Sequence, residues 1–158
     1  MTRPDAEPGH SVEPAIVVSA CLLGVRCNHL GAASPSPAVA DLASSHHLVP
    51  ICPEVVGGLP TPRPAAEIQP DGSVWTREGH DVSDAYRRGA EAAVALARAV
   101  GAREAVLKAR SPSCGCHEVY DGTFTRTKVV GEGITARALR EAGLRVRSDE
   151  DIAHPGRP

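Results

Sequence analysis

Aromatic residues are scarce in this 158-residue chain: one Trp, two Tyr and one Phe make up 3% of it. With so few planar side chains, a base-stacking platform for single-stranded nucleic acid is not expected. An excess of charge is missing too. Lys and Arg number 17 against 19 Asp and Glu, a formal net charge of −2, so neither nucleic acid nor an anionic membrane finds a basic footprint. No apolar stretch approaches the length of a membrane span, and no hydrophobic signal region is visible near the N-terminus. The five cysteines are odd in number, and none forms the Cys-x-x-Cys knuckle usual in structural zinc sites. These absences point to a reduced, cytoplasmic chain acting on a small molecule, with its cysteines metal-binding or catalytic rather than disulfide-bonded.

What is present is a pattern used three times. Ala15-Ile16-Val17-Val18-Ser19-Ala20 is β-branched and apolar until it meets Cys21, after which Leu22-Leu23-Gly24 turns away. His47-Leu48-Val49-Pro50-Ile51 runs in the same way into Cys52-Pro53-Glu54. Ala105-Val106-Leu107 leads into Ser111-Pro112-Ser113-Cys114-Gly115, a tight turn with a thiol at its tip. A turn of this kind exposes backbone N–H groups beside sulfur, which favours the thiolate. As parallel strands of one sheet, the three runs deliver Cys21, Cys52 and Cys114 to its carboxyl edge, where open α/β sheets bind ligands.

The remaining elements fit around these strands. A helix is expected from Ser36 or Pro37 to Ser45, with proline in its first turn. The His46-His47 pair suits the end of that helix. Residues 52–64 form a long loop fixed by four prolines and two glycines. Ala66 to Gln69 and Val74 to Thr76, separated by Pro70-Asp71-Gly72-Ser73, read as a rim hairpin. From Asp81 or Ser83 to Val100, apolar residues at three- and four-residue steps mark the clearest helix, stopped by Gly101. Residues 119–124 are turn-rich. Gly131-Glu132-Gly133-Ile134-Thr135-Ala136 opens a last helix ending at Gly143, followed by a strand from Leu144 to Arg147. This order predicts an α/β fold: a doubly wound, Rossmann-like, mainly parallel sheet of about four strands with helices on both faces. At this length one domain is expected, over residues 14–150, between a flexible N-terminal tail (1–13) and a C-terminal tail (151–158).

Four stretches taken together are recognisable: Ser19-Ala20-Cys21-Leu22-Leu23-Gly24; Cys52-Pro53-Glu54 with Gly57-Gly58-Leu59 and Pro62-Arg63-Pro64; Leu107-Lys108 with Ser111-Pro112-Ser113-Cys114-Gly115; and Gly131-Glu132-Gly133-Ile134-Thr135-Ala136. They resemble the thiouracil desulfurase family. The resemblance implies a 4Fe-4S cluster held by only Cys21, Cys52 and Cys114, with its fourth iron left to bind the sulfur of a thiolated pyrimidine such as 2-thiouracil. It also implies that Glu54 and Ser111 are catalytic, Glu54 by activating water or moving a proton and Ser111 by hydrogen-bonding the substrate or relaying a proton. After Cys27 this chain reads Asn28-His29-Leu30-Gly31 where many relatives read Arg-Tyr-Asp-Gly, so His29 is either a replacement polar contact or a surface histidine.

Several residues have two readings. Cys21 and Cys52, each at a strand end, also suit small buried hydrophobes. Cys27 and Cys116 read as non-ligands. Arg63 and Lys108 either fix loops or neutralise cluster charge. Gly133 and Thr135 either shape a helix start or offer N–H groups to an anion. Two other functions compete: a non-catalytic iron-sulfur or zinc module with Cys27 or Cys116 as an added ligand, and a metal-free nucleotide binder. Cys21-Leu22-Leu23-Gly24 matches a phosphate-cradling glycine turn poorly.

Overall fold

Apolar runs that end in cysteine assemble side by side. The computed structural model describes residues 13–157. Its elements in chain order are β1 (Glu13–Ser19), α1 (Pro37–Ala40), β2 (His46–Ile51), α2 (Pro53–Val56), β3 (Ala66–Ile68), β4 (Val74–Thr76), α3 (Ser83–Ala99), β5 (Glu104–Leu107), β6 (Glu118–Tyr120), β7 (Lys128–Val130), α4 (Ile134–Glu141), β8 (Arg145–Ser148) and α5 (Asp149–Ala153). Short 3-10 turns follow β1 (Ala20–Leu23) and α1 (Asp41–Ser44). The main sheet has the order β2-β1-β5-β8 with every pairing parallel. From β1 the chain crosses to β2 on one side and later to β5 on the other. The carboxyl ends of β1 and β5 therefore flank the crevice in which sheets of this kind hold ligands.

Strand alternation sorts the core onto two faces. Val17, Ala105 and Leu107 pack with Ala93 and Ala97 of α3 and with Ala136 and Leu139 of α4. Ile16, Val18 and Val106 pack with Leu22, Val39 of α1 and Ile152 of α5. Leu107 and Leu139 are fully buried, each contributing about 1.5–3 kcal/mol by leaving water. The doubly wound α/β arrangement predicted from the strand and helix order is the one observed.

The buried stripe of α3 is Ala85, Tyr86, Gly89, Ala90, Ala93 and Ala97. Its small residues let neighbouring backbone approach closely. A Cβ on Gly89 would sit 2.0 Å from the Pro53 carbonyl oxygen, and one on Gly57 2.0 Å from that of Ala85. Helix α2, which carries Glu54, is thus seated backbone to backbone on α3.

Some local readings change. His46 and His47 begin β2 rather than ending a helix, because pairing with β1 extends to Glu13 opposite His46. Glu13, assigned to the N-terminal tail, opens β1; the rest of that tail lies outside the described residues. Residues 151–153, assigned to the C-terminal tail, belong to α5. There Ser148 Oγ accepts the Glu150 N–H at 2.9 Å while Asp151 Oδ2 accepts the Ser148 N–H at 2.9 Å, a capping box. The rim hairpin β3-β4 is joined by a second, β6-β7; β6 overlaps the start of the stretch read as turn-rich, and β7 follows that stretch.

Candidate active site

Cys21, Cys52 and Cys114 line one cavity of about 470 Å³ at the carboxyl edge of the sheet, and Glu54 and Ser111 line it with them. Each thiol is held by a different device. Cys21 lies in the 3-10 turn directly after β1, closed by Gly24 at φ +93°. Cys52 is the N-cap residue of α2. Cys114 sits in a loop whose carbonyls are bound by the start of α4: Gly133 N–H donates to Gly115 O (2.7 Å), Ile134 N–H to Pro112 O (2.9 Å), and Thr135 N–H to Ser113 O (2.8 Å). The N–H groups of Gly133 and Thr135, read as a possible anion site, are thus committed to anchoring the Cys114 loop.

The N–H groups around Cys114 are likewise spent. Those of Ser113 and Cys114 both donate to Ser111 Oγ at 3.1 Å, and that of Gly115 donates to Ser111 O at 2.8 Å. Burial, not the turn, therefore sets the thiol's proton affinity. It raises Cys114 well above the ordinary thiol range, with Ser19 opposing and Glu54, Cys21 and Cys52 adding to the rise. Cys21 is pushed up to about 11 by burial first and by Cys52 second, with Lys108 pulling the other way. Burial thus disfavours the bare thiolate at Cys21 and Cys114, and a metal would have to displace their protons on binding.

Glu54 is fixed through one oxygen. Its Oε1 accepts from Arg63 Nε at 3.0 Å and from Tyr86 Oη at 2.7 Å, and Oε2 has no protein partner among the described residues. Arg63 fixes loops, the first of its two readings. Its other nitrogens donate to Pro60 O (3.2 Å), Thr61 Oγ1 (3.2 Å) and Cys27 O (2.9 Å), and Nη2 lies 3.9 Å from Cys52 Sγ. Burial opposes its charge, but Glu54 and then Cys52 outweigh this and hold its pKa above the usual value. Lys108 Nζ, 3.8 Å from Asp149, is a second cation lining the cavity, near Cys21. His29 is exposed on the cavity rim.

Tyr86 was legible only as part of the apolar stripe of α3. It is 2% exposed, and burial, followed by Glu54, raises its phenol pKa, so it stays a hydrogen-bond donor. Cys27 is buried and lines the same cavity; burial and then Cys52 push it up to about 12. Cys116 is also buried, but it packs in the core under α3 and α4. Its Sγ lies 3.5 Å from Cys114 O.

Among the described residues no three His, Cys, Asp or Glu side chains are placed to hold a single metal ion. The donor set at the cavity is instead soft, spread over three strand ends and flanked by two cations. That suits an anionic iron-sulfur cluster, which Cys21, Cys52 and Cys114 would hold.

Known proteins resemble this chain over most of its length. The family described as 2-thiouracil desulfurase matches residues 16–151. The uncharacterized protein YbbK of Bacillus subtilis (strain 168) is 37% identical over 146 residues, covering 87% of this chain and 97% of the relative. A solved structure described as a 4Fe-4S-dependent thiouracil desulfidase is similar at a TM-score of 0.83 and 42% identity, covering 89% of this chain and 94% of that one. A family match that takes in all three cysteine loops, from β1 to α5, makes this chain a member of the 2-thiouracil desulfurase family.

Proposed function

We propose that this chain removes sulfur hydrolytically from a thiolated pyrimidine, converting 2-thiouracil and water to uracil and hydrogen sulfide without net electron transfer. The observation that carries the reading is the meeting of Cys21, Cys52 and Cys114, far apart in sequence, in one cavity that Glu54, Arg63 and Lys108 also line. Those three cysteines would hold a 4Fe-4S cluster, which when bound supplies a Lewis-acidic iron free of protein ligand and a soft acceptor for sulfur.

The chain's own groups divide the remaining work. Arg63 and Tyr86 hold Glu54 by Oε1, leaving Oε2 to take a proton from water or return one to the ring. Ser111 Oγ already accepts two backbone N–H groups, so the role left to its hydroxyl is donation, directed at a substrate heteroatom. Lys108 and Arg63 offset negative charge at the thiolates. All five cysteines are free, which suits a reducing, cytoplasmic setting.

The test is anaerobic reconstitution with iron and sulfide, followed by incubation with 2-thiouracil, other thiobases and thiolated nucleosides. Equimolar uracil and sulfide are expected. A fully loaded protein that releases neither product from any of them would refute the reading.

A further inference from the structure

Three of the four aromatic side chains in the chain, Tyr86, Tyr120 and Phe124, line the cavity that contains the three thiols. Tyr86 is explained by its bond to Glu54. Phe124 has no such explanation: it lies outside the buried core, in the turn joining β6 to β7, at φ +58°. Bulky side chains rarely adopt that conformation, which turns usually assign to Gly or Asn. Strain of this kind persists only where surrounding groups enforce it, and it gathers at functional sites.

The enforcing groups are present. The Phe124 N–H donates to the buried carboxylate of Glu67, 3.0 Å from Oε2 and 3.3 Å from Oε1. Gln69 Nε2 donates to Gly122 O at 3.1 Å. The Arg77 guanidinium lies 5.5 Å from the centroid of the Phe124 ring, within reach of a cation–π contact, and Arg77 also lines the cavity. The hairpin β3-β4 and the residue just after it thereby clamp the β6-β7 turn and fix the one phenylalanine of the chain in the cavity wall.

We propose that Phe124 is a specificity-determining residue whose ring is the flat surface on which the planar heteroaromatic ring of the substrate stacks, held in place by Glu67 and Arg77. The proposal rests on the desulfuration reading for its substrate class, but it concerns ring binding rather than chemistry. Stacking acts on the ring whether its substituent is sulfur or oxygen, so product and substrate feel it alike.

The experiment compares wild type, Phe124→Ala, Phe124→Leu and Phe124→Tyr, with Trp75→Ala as a control because Trp75 does not line the cavity. Steady-state kinetics on 2-thiouracil and calorimetric titration with uracil are measured in parallel. Phe124→Ala is expected to raise both KM and the uracil Kd about tenfold, within the range found for single base–aromatic stacks, with kcat and cluster absorption nearly unchanged. Phe124→Leu, which keeps bulk without a π face, should show the same weakening at wild-type thermal stability. Phe124→Tyr and Trp75→Ala should leave both constants in place. Uracil binding as tight in Phe124→Leu as in wild type overturns the proposal. A wild type that binds uracil but releases no sulfide sinks the desulfuration reading alone, and the titrations then still decide the role of Phe124. A wild type that neither binds uracil nor turns over a thiobase overturns both.

Discussion

Replacing Gly89 by Ala should damage catalysis far more than stability. Gly89 lies on the buried face of α3, where an added Cβ would fall 2.0 Å from the Pro53 carbonyl oxygen and 2.7 Å from its carbonyl carbon. Ordinary contact begins near 3.4 Å, so α2 must retreat by about 1.4 Å. Pro53 lies between Cys52 and Glu54, and both would travel with it. Alanine is favoured over glycine in a helix interior by about 1 kcal/mol, while overpacking costs about 1–3 kcal/mol. The net loss of stability is then at most about 2 kcal/mol, a fall in Tm of several degrees for a domain of this size. A displacement near 1 Å at a reacting group costs about a hundredfold in rate. Thermal denaturation and sulfide release, measured on the same preparation, should therefore show a modest shift in Tm beside a large fall in kcat. Wild-type turnover in Gly89→Ala would refute the claim that this backbone contact positions Glu54.

Other perturbations reach the site by different routes. Gly133→Ala would bring a Cβ to 2.4 Å from the Ser113 carbonyl oxygen and 2.7 Å from the Cys114 nitrogen; iron content after reconstitution should fall, and full occupancy would contradict the anchoring role given to α4. Glu54→Gln should keep the visible absorption of the cluster but lower kcat by about 10²–10⁴, the usual yield of acid-base catalysis. Tyr86→Phe removes the 2.7 Å donor to Glu54 and should lower kcat about tenfold at unchanged KM, whereas an unchanged kcat would leave Tyr86 a packing residue. Ser111→Ala should lose both rate and about 1 kcal/mol of stability, because its oxygen caps the N–H groups of Ser113 and Cys114. Ser111→Thr should restore the stability.

The strands leading to the cysteines were legible because each is an apolar run with a thiol at its end or in the turn that follows, and parallel pairing sends all three ends to the same edge. The hairpin β3-β4 was legible from its Pro-Asp-Gly turn. Its companion β6-β7 was not: Lys128–Val130 is exposed throughout and shows no alternation, so only its pairing with β6 makes it a strand. Within the site, helical periodicity identified Tyr86 as buried but said nothing of its hydroxyl, whose partner is Glu54, 32 residues earlier. The same limit applies to α4. Its free N–H groups follow from any helix start, but their commitment to the Cys114 loop depends on a close approach that only the folded backbone reveals. Phe124, the sole phenylalanine, lay in a stretch that offered turn chemistry and no periodicity.

On the proposed function, Cys21, Cys52 and Cys114 together would hold a cluster with one iron left open to substrate. Iron, acid-labile sulfide and sulfide release from 2-thiouracil, measured on anaerobically reconstituted Cys21→Ser, Cys52→Ser, Cys114→Ser and Cys116→Ser, test it most directly. The first three variants should each lose the 4Fe-4S absorption together with activity, while Cys116→Ser keeps both. Intact cluster and full turnover in any of the first three would contradict the account.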